Sequence, residues 1–219
     1  MLPHQEIGTP QRAASGLYYP NRFARIVIEV LEEILGRNGL NTVLNLADLG
    51  GLVDQYPPDN LKREFDFADF TALNVALEDL YGPRGARGLA LRAGRASFTQ
   101  GLWRFETLVA LSDVPGTVLP LNTKLDVGVT AMANVFSKLS DQISNIHDEG
   151  DDRIVYTLER CPMCWNRTAD RPVHTLIQGF LQEGLRWVSG GQKFNVEMTT
   201  CLAMGDEIGR CVIYKQPIG

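Results

Sequence analysis

Apolar residues recur at helical spacing through the first two thirds of the chain. The spacing predicts helices from Asn21 to Gly36, from Leu40 to about Leu49, and from Phe67 to Gly82-Pro83. After a loop at 112–120, the pattern predicts a long helix that runs to Ile143. Five large residues at helical spacing are predicted to be core: Trp103, Phe105, Met132, Phe136 and Phe180.

The period changes after the acidic turn at 148–152. Apolar and polar residues alternate from Ile154, which predicts a strand. A helix is predicted at Val173–Val188, followed by strands at Lys193–Met204 and Arg210–Lys215 that a loop at 205–209 joins as a hairpin.

Helices followed by a small antiparallel sheet indicate the α+β class, with N-terminal helices packed on a twisted sheet. No internal repeat or low-complexity linker interrupts the sequence, so a single domain is predicted over 1–219. Residues 1–150 form its mainly helical part, and 151–219 form a strand, helix and hairpin that hold all the cysteines.

The segment between Pro83 and Phe105 contains five arginines and no acidic residue. On a helix, four of them fall within an arc of about 140°. These are Arg84, Arg87, Arg92 and Arg95. The basic face is interpreted as a solvated surface or as a partner for the acids at 148–152, with an anionic ligand such as a carboxylate as the alternative. Nucleic acid is not expected, because the chain is acidic overall and no aromatic residues are interleaved there.

Composition excludes several classes of protein. The 219 residues are 44% hydrophobic and 21% charged with a net charge of −5, which excludes a disordered or fibrous chain. No apolar run approaches the roughly 18–20 residues that span a bilayer. Met1–Gly16 lacks the basic start and apolar block of a secretory signal, so a cytoplasmic protein without a transmembrane segment is expected.

All four cysteines lie in the last part of the chain, at Cys161, Cys164, Cys201 and Cys211. The Cys161-Pro162-Met163-Cys164 knuckle is a recurrent half of a tetrahedral zinc site, and the two later thiols are predicted to complete it. Four thiolates also suit an iron–sulfur cluster. A redox dithiol at 161–164 and plain burial of reduced cysteines are the other interpretations.

Other catalytic patterns are missing from the sequence. It has no G-x-S-x-G elbow, no G-x-G-x-x-G loop and no Walker loop, so neither a hydrolase nor a dinucleotide enzyme is indicated. Of the histidines His4, His147 and His174, the last is interpreted as a helix-start residue, with a substitute metal ligand as the alternative.

The segment from Glu159 to Tyr214 resembles the 4-vinyl reductase domain family of predicted hydrocarbon-binding proteins. The resemblance rests on the motifs CPMCW, HTLIQGFLQEGLRWV, FNVEMTTCLAMGD and CVIY. The family's signature is Glu-x2-Cys, a Gly-Asp turn and a further Cys. Here three residues separate Glu197 from Cys201 and nine separate Cys201 from Cys211, so small insertions distinguish this chain.

The resemblance implies a fold similar to the heme-nitric-oxide-binding and TRAPP superfamily, often as a dimer. It implies a zinc held by cysteines, with Cys201, Cys211 and Glu197 matching the signature and Cys161 or Cys164 matching the upstream cysteine. The expected function is binding of a small hydrophobic molecule, such as a tetrapyrrole, hydrocarbon or aromatic, by a homodimer. Whether the chain is an enzyme is left open. One alternative is reduction of the 4-vinyl group in bacteriochlorophyll biosynthesis, and another is a structural interaction module.

Overall fold

The computed structural model of the chain describes residues 12–150 and 152–218. The first 11 residues with His4, Asp151 of the acidic turn, and Gly219 lie outside the described residues. Within the described part, no helix is both long and apolar enough to cross a membrane.

Five helices account for almost half of the described chain. They are α1 (Asn21–Leu46), α2 (Phe67–Leu102), α3 (Glu106–Val109), α4 (Leu121–Leu139) and α5 (Thr175–Val188). The predicted stops at Gly36 and Gly82 are real breaks, with φ of 73° and 68°, but the helix resumes directly after each. Glycine suits both positions because other residues rarely adopt this left-handed region. Pro83 is accommodated because it begins the second segment of α2, where its missing N–H is not needed.

The strands form two antiparallel sheets. They are β1 (Tyr18–Pro20), β2 (Arg63–Asp66), β3 (Ile143–Asp148), β4 (Arg153–Arg160), β5 (Lys193–Thr200) and β6 (Gly209–Ile218). β1 pairs with β2, and the other four follow the order β3-β4-β6-β5. The predicted α+β class, with helices packed on a small antiparallel sheet, is confirmed.

The third strand corrects the prediction that the long helix reaches Ile143. That residue instead opens β3 and pairs with Arg160 of β4. The helix ends earlier because Ser140 is extended, with φ of −136°, and its hydroxyl donates to the carbonyl of Phe136 at 2.7 Å. Part of the sheet therefore lies within the segment predicted to be mainly helical.

Aromatic rings fill the interior between the helices. Tyr19 lies between Phe23 and Phe67 at centroid distances of 4.9 and 5.3 Å, and Phe136 contacts Phe23 and Phe180 at 5.2 and 5.1 Å. Such spacings are those of directly contacting rings. Four of the five large residues predicted to be core are buried.

The exception is Trp103, which is 62% exposed. It lies in the turn that ends α2, where its ring meets the edge of Trp187. A helical period does not show that the helix has ended, and this is why the prediction for Trp103 was wrong.

Helices α2 and α5 cross at two glycines. A Cβ on Gly94 would lie 2.0 Å from the carbonyl oxygen of Leu176, and one on Gly179 would lie 2.2 Å from that of Leu91. Both contacts are with backbone, which cannot rotate away. The crossing therefore requires glycine on both helices and fixes where α5 begins.

Candidate functional site

The knuckle at 161–164 directly follows β4. Cys161 leaves the strand, and residues Pro162–Cys164 form one turn of 3-10 helix, with the Cys164 amide donating to the Cys161 carbonyl at 3.1 Å. This tight turn places both thiols on the same side. All four cysteines are buried and reduced.

Cys201 and His174 complete a cluster with the knuckle. The Nδ1 atom of His174 lies 3.6 Å from Cys161 Sγ, 3.3 Å from Cys164 Sγ and 3.8 Å from Cys201 Sγ. The Sγ atoms of Cys164 and Cys201 are 3.6 Å apart. We call these four residues the thiol–imidazole cluster.

Four measured separations in the cluster match the edges of a tetrahedral metal site. With Zn–S bonds of about 2.3 Å and a Zn–N bond of about 2.0 Å, the edges of a tetrahedron are about 3.5–3.8 Å long. The four distances above lie within a few tenths of an ångström of these edges. The ligand atoms of Cys161, Cys164 and His174 all lie within 4.8 Å of one another, so they form a possible metal-binding group.

The imidazole ring of His174 is oriented for a metal ligand. Its Nε2 atom lies 3.1 Å from the Thr200 carbonyl oxygen, which can only accept, so Nε2 carries a proton. Nδ1 faces the three sulfurs, and its proton would be released when a metal ion binds there. A backbone partner on the second ring nitrogen is what usually fixes a metal-binding histidine.

Glycine at position 209 makes room for this ring. A Cβ there would lie 3.1 Å from Cε1 of His174 and 3.2 Å from Cβ of Leu158. The ring is fully buried and occupies the space that a side chain on β6 would otherwise take.

Hydrogen bonds attach the cluster to the rest of the fold. The hydroxyl of Thr71 on α2 donates to the Pro162 carbonyl inside the knuckle. The Cys201 amide donates to the Asp206 carboxylate at 2.7 Å, across the turn that Gly205 forms with φ of 92°. The sulfur positions are therefore fixed by the surrounding backbone.

The electrostatics of the cluster favour anionic sulfur at Cys161 and Cys201, while hydrogen bonds with these two residues raise the pKa of Cys164. Hydrogen bonds from Cys164 and then from His174 lower the pKa of Cys201 to about 4. Burial alone would lower the pKa of His174, yet its contacts with Cys161 and Cys201 raise it to about 10. A thiolate in such a dry site attracts a cation, as a metal centre requires.

Cys211 lies in the middle of β6, where it pairs with Tyr156 and Met198. Burial raises its pKa to about 12. Pairing across the predicted loop at 205–209 would set Cys211 opposite residue 203, whereas in the structure it pairs with Met198. The described contacts bring the other three cysteines together around His174, although the metal-binding group itself contains only Cys161, Cys164 and His174. Cys211 stays on the strand.

The glutamate that matches the family signature is also away from the cluster. Glu197 is exposed on β5 and accepts a hydrogen bond from the Tyr214 hydroxyl at 3.1 Å. His174 takes a position in the cluster instead. Its side chain makes no capping bond at the start of α5 and contacts the thiols. The interpretation of His174 as a helix-start residue misses this contact.

A cleft of about 370 Å³ lies beside the cluster, between α2, α5 and the edge strand β5. The loop at 171–173 forms its fourth side. Its apolar lining includes Leu77, Ala86, Ala90, Val173, Val196 and Met198. A smaller pocket of about 200 Å³ reaches Cys161 and Cys164 from the other side, past Trp165.

No protein-family model matches the sequence, and no curated protein matches it either. Solved structures share its fold. The chain is similar to an H-NOX protein from K. algicida in the Fe(II) unliganded form, with 9% identity, 91% of this chain and 97% of that chain covered, and a TM-score of 0.57. The fold is H-NOX-like.

Two further H-NOX structures support the same fold. A structure from work on heme distortion in the H-NOX family has 12% identity, covers 91% of this chain and 97% of its own, and gives a TM-score of 0.55. A variant H-NOX protein from S. oneidensis in the Fe(II) ligation state has 14% identity and a TM-score of 0.53. The match covers 89% of this chain and 97% of that chain. The expectation of a heme-nitric-oxide-binding type of fold is confirmed.

The residues present do not fit a heme. A heme needs an internal cavity and an axial ligand such as histidine. Beside the rings of Tyr19, Phe23 and Phe136 only about 10 Å³ is open. Within 12–150 and 152–218, the histidines are His147, which is exposed, and His174, which lies among the thiols.

Proposed function

We propose that the chain is a binding protein for a small hydrophobic molecule, of the 4-vinyl reductase domain type, with one structural zinc. The observation that carries the proposal is the thiol–imidazole cluster, in which Cys161, Cys164 and His174 form a possible metal-binding group and Cys201 lies 3.6 Å from Cys164. The ligands would be Cys161, Cys164, His174 and Cys201.

The donor set favours zinc in a structural role. Three sulfurs and one imidazole nitrogen suit zinc, and a closed set of four protein ligands leaves no open position for substrate or water. The ion would join the end of β4, the start of α5 and the end of β5. It would therefore stabilise the arrangement of these elements rather than supply chemistry.

The same elements line the cleft, and this supports the binding role. Val173 and Thr175, the neighbours of His174 in the sequence, both line the cleft. Strand β5, which lines it as well, ends at Thr200, the residue before Cys201. A volume of about 370 Å³ lies within the range of small-molecule sites, roughly 300–1,000 Å³. The cleft lies between helices α2 and α5 and strand β5, where a small molecule would contact both helices and sheet.

Metal analysis of matched variants tests the zinc site. We expect about one zinc per wild-type chain. Cys201→Ala and His174→Ala should lose the metal, because each removes one ligand of the tetrahedron. Cys211→Ala should keep it, and this variant is the matched control because it also truncates a buried cysteine.

Retention of zinc by His174→Ala together with its loss from Cys211→Ala would contradict the site and restore the set of four cysteines. Iron with visible absorption would indicate a cluster instead. Absence of any metal under reducing conditions would refute the metal centre altogether.

A cleft-filling variant tests the binding role. Mass spectrometry of the purified protein should detect a bound apolar molecule, and the uncharged dye Nile red should bind with enhanced fluorescence. Ala90→Phe should abolish both because it fills the cleft, while its zinc content shows that it still folds. Thr99→Phe, at an exposed position on the same helix, is the control. Dye binding by Ala90→Phe equal to that of wild type would place the ligand elsewhere.

A further inference from the structure

We infer that the hydrophobic ligand carries a carboxylate, which Arg87 and Arg171 bind at the rim of the cleft. The inference rests on the proposed binding function and specifies its ligand class. Four charged side chains line the cleft, two of each sign, so its preference depends on which of them already have partners.

The two acidic side chains of the lining are already engaged. Glu78 forms an ion pair with Arg167, whose side chain is only 10% exposed. Glu197 accepts the hydrogen bond from Tyr214. The ion pair neutralises Glu78, and the hydrogen bond directs Glu197 toward Tyr214.

The two basic side chains are differently placed. No ion pair to Arg87 is found among the described residues, although it lines the cleft beside Ala86 and Ala90. Arg171 pairs with its neighbour Asp170, but that carboxylate is 80% exposed, and exposed pairs contribute little. Both guanidinium groups are therefore available to a carboxylate, for which their planar donors are suited.

The surroundings of Arg87 add to the positive potential. It belongs to the basic face of α2, and the described ion pairs of Asp148 and Glu149 in the acidic turn are made with other residues. Asp148 binds Lys215, and Glu149 binds Arg153 and Arg210. Thr175, the first residue of α5, lines the same cleft, so the positive end of that helix lies nearby.

The apolar lining of the cleft explains why the carboxylic acid would be amphipathic. Leu77, Val196 and Ala90 offer carbon surface to an alkyl or aromatic body, while the two arginines lie among the polar lining. An acid with a chain of medium length meets both requirements. A hydrocarbon without a charged group would leave the arginines unused.

Three ligands of equal chain length test the inference: decanoate, decanol and decylamine. Each displaces Nile red from the zinc-loaded protein at pH 7, below its micelle concentration. We expect decanoate to bind at least about 10-fold more tightly than decanol, as one charge-assisted contact allows. In the double variant Arg87→Gln/Arg171→Gln this advantage should disappear, while decanol binds as before.

Arg92→Gln is the matched control, because it removes an exposed arginine of the same helix that does not line the cleft. Equal binding of decanoate and decanol to wild type would overturn the inference and leave the proposed function intact. Tightest binding by decylamine would overturn it in favour of Glu197. Displacement by none of the three would overturn both.

Discussion

The aromatic interior and the thiol–imidazole cluster are built on opposite principles. In the first, rings such as Phe23, Phe136 and Phe180 contact one another at several angles, from 62° to 86° between planes. In the second, each polar atom has a specific partner, such as the Thr200 carbonyl for His174. The interior depends on filled volume, whereas the cluster depends on direction and distance.

The comparison teaches that the fold and the site are determined by different features of the sequence. Hydrophobic burial is not directional, so many apolar residues of similar volume satisfy the interior. A tetrahedral site has no such tolerance. Helix α5 belongs to both regions, since it begins next to His174 and carries Phe180 in the aromatic interior.

The largest effect is expected where α5 crosses α2, because a change there reaches both regions. Gly94→Ala places a methyl group 2.0 Å from the Leu176 carbonyl oxygen. We expect a loss of more than about 4 kcal/mol in the free energy of unfolding, together with loss of zinc. Urea unfolding and metal analysis measure the two effects.

Gly88→Ala is the control on the same helix, since a Cβ at this exposed position meets nothing within 4 Å. It should stabilise the chain by up to about 1 kcal/mol. Similar destabilisation by both variants would show that the crossing is not special.

A change confined to the aromatic interior should separate the two regions. Phe136→Ala removes contacts with Tyr19, Phe23 and Phe180 and should cost about 3–5 kcal/mol. Zinc stoichiometry should not change, because the aromatic residues that contact this ring are not zinc ligands. Trp103→Ala, which truncates an exposed ring, should cost far less in the same denaturant experiment. Loss of zinc from Phe136→Ala would mean that the two regions are not independent.

The smallest effect is expected at the bond that attaches the knuckle to α2. Thr71→Val removes the donor to the Pro162 carbonyl while keeping the shape of the side chain. We expect a cost of about 1–2 kcal/mol and zinc binding roughly 10-fold weaker, as for other residues that support a metal site. Competition with a chelator measures the affinity. Thr42→Val, at an exposed helix position, should leave it unchanged, and an equal change in both would remove the role assigned to Thr71.

Much of the fold follows from local patterns in the sequence. The helical period and the glycines at 36 and 82 predict the two segments of α1 and the first segment of α2, because each is a local property of the chain. The second segment of α2, which contains four glycines, is not predicted as a helix. Strands β1 and β2, with three and four residues, are too short to show a period. The strand at Ile143 is hidden because its apolar residues continue the spacing of α4.

The cluster could be predicted only in part. The knuckle is local, so its spacing shows it. His174 reaches the thiols through an irregular loop, and no periodicity describes such a path. Cys211 lies within a run of apolar strand residues, whereas a Gly-Asp turn follows Cys201. This difference is the one sequence signal that distinguishes the cysteine outside the cluster from the one inside it.

The glycine crossing also determines how the cleft can open. Ala86 and Ala90 follow the break at Gly82 and lead into the backbone contact at Gly94, so their wall moves only with α5. Asn74, Leu77 and Glu78 precede the break, where the backbone has left-handed dihedral angles instead of helical ones. The cleft therefore has one wall held against α5 at the glycine crossing and a second wall, before Gly82, held by Thr71 to the knuckle and by Glu78 to Arg167. A ligand larger than the present space must displace one of these contacts.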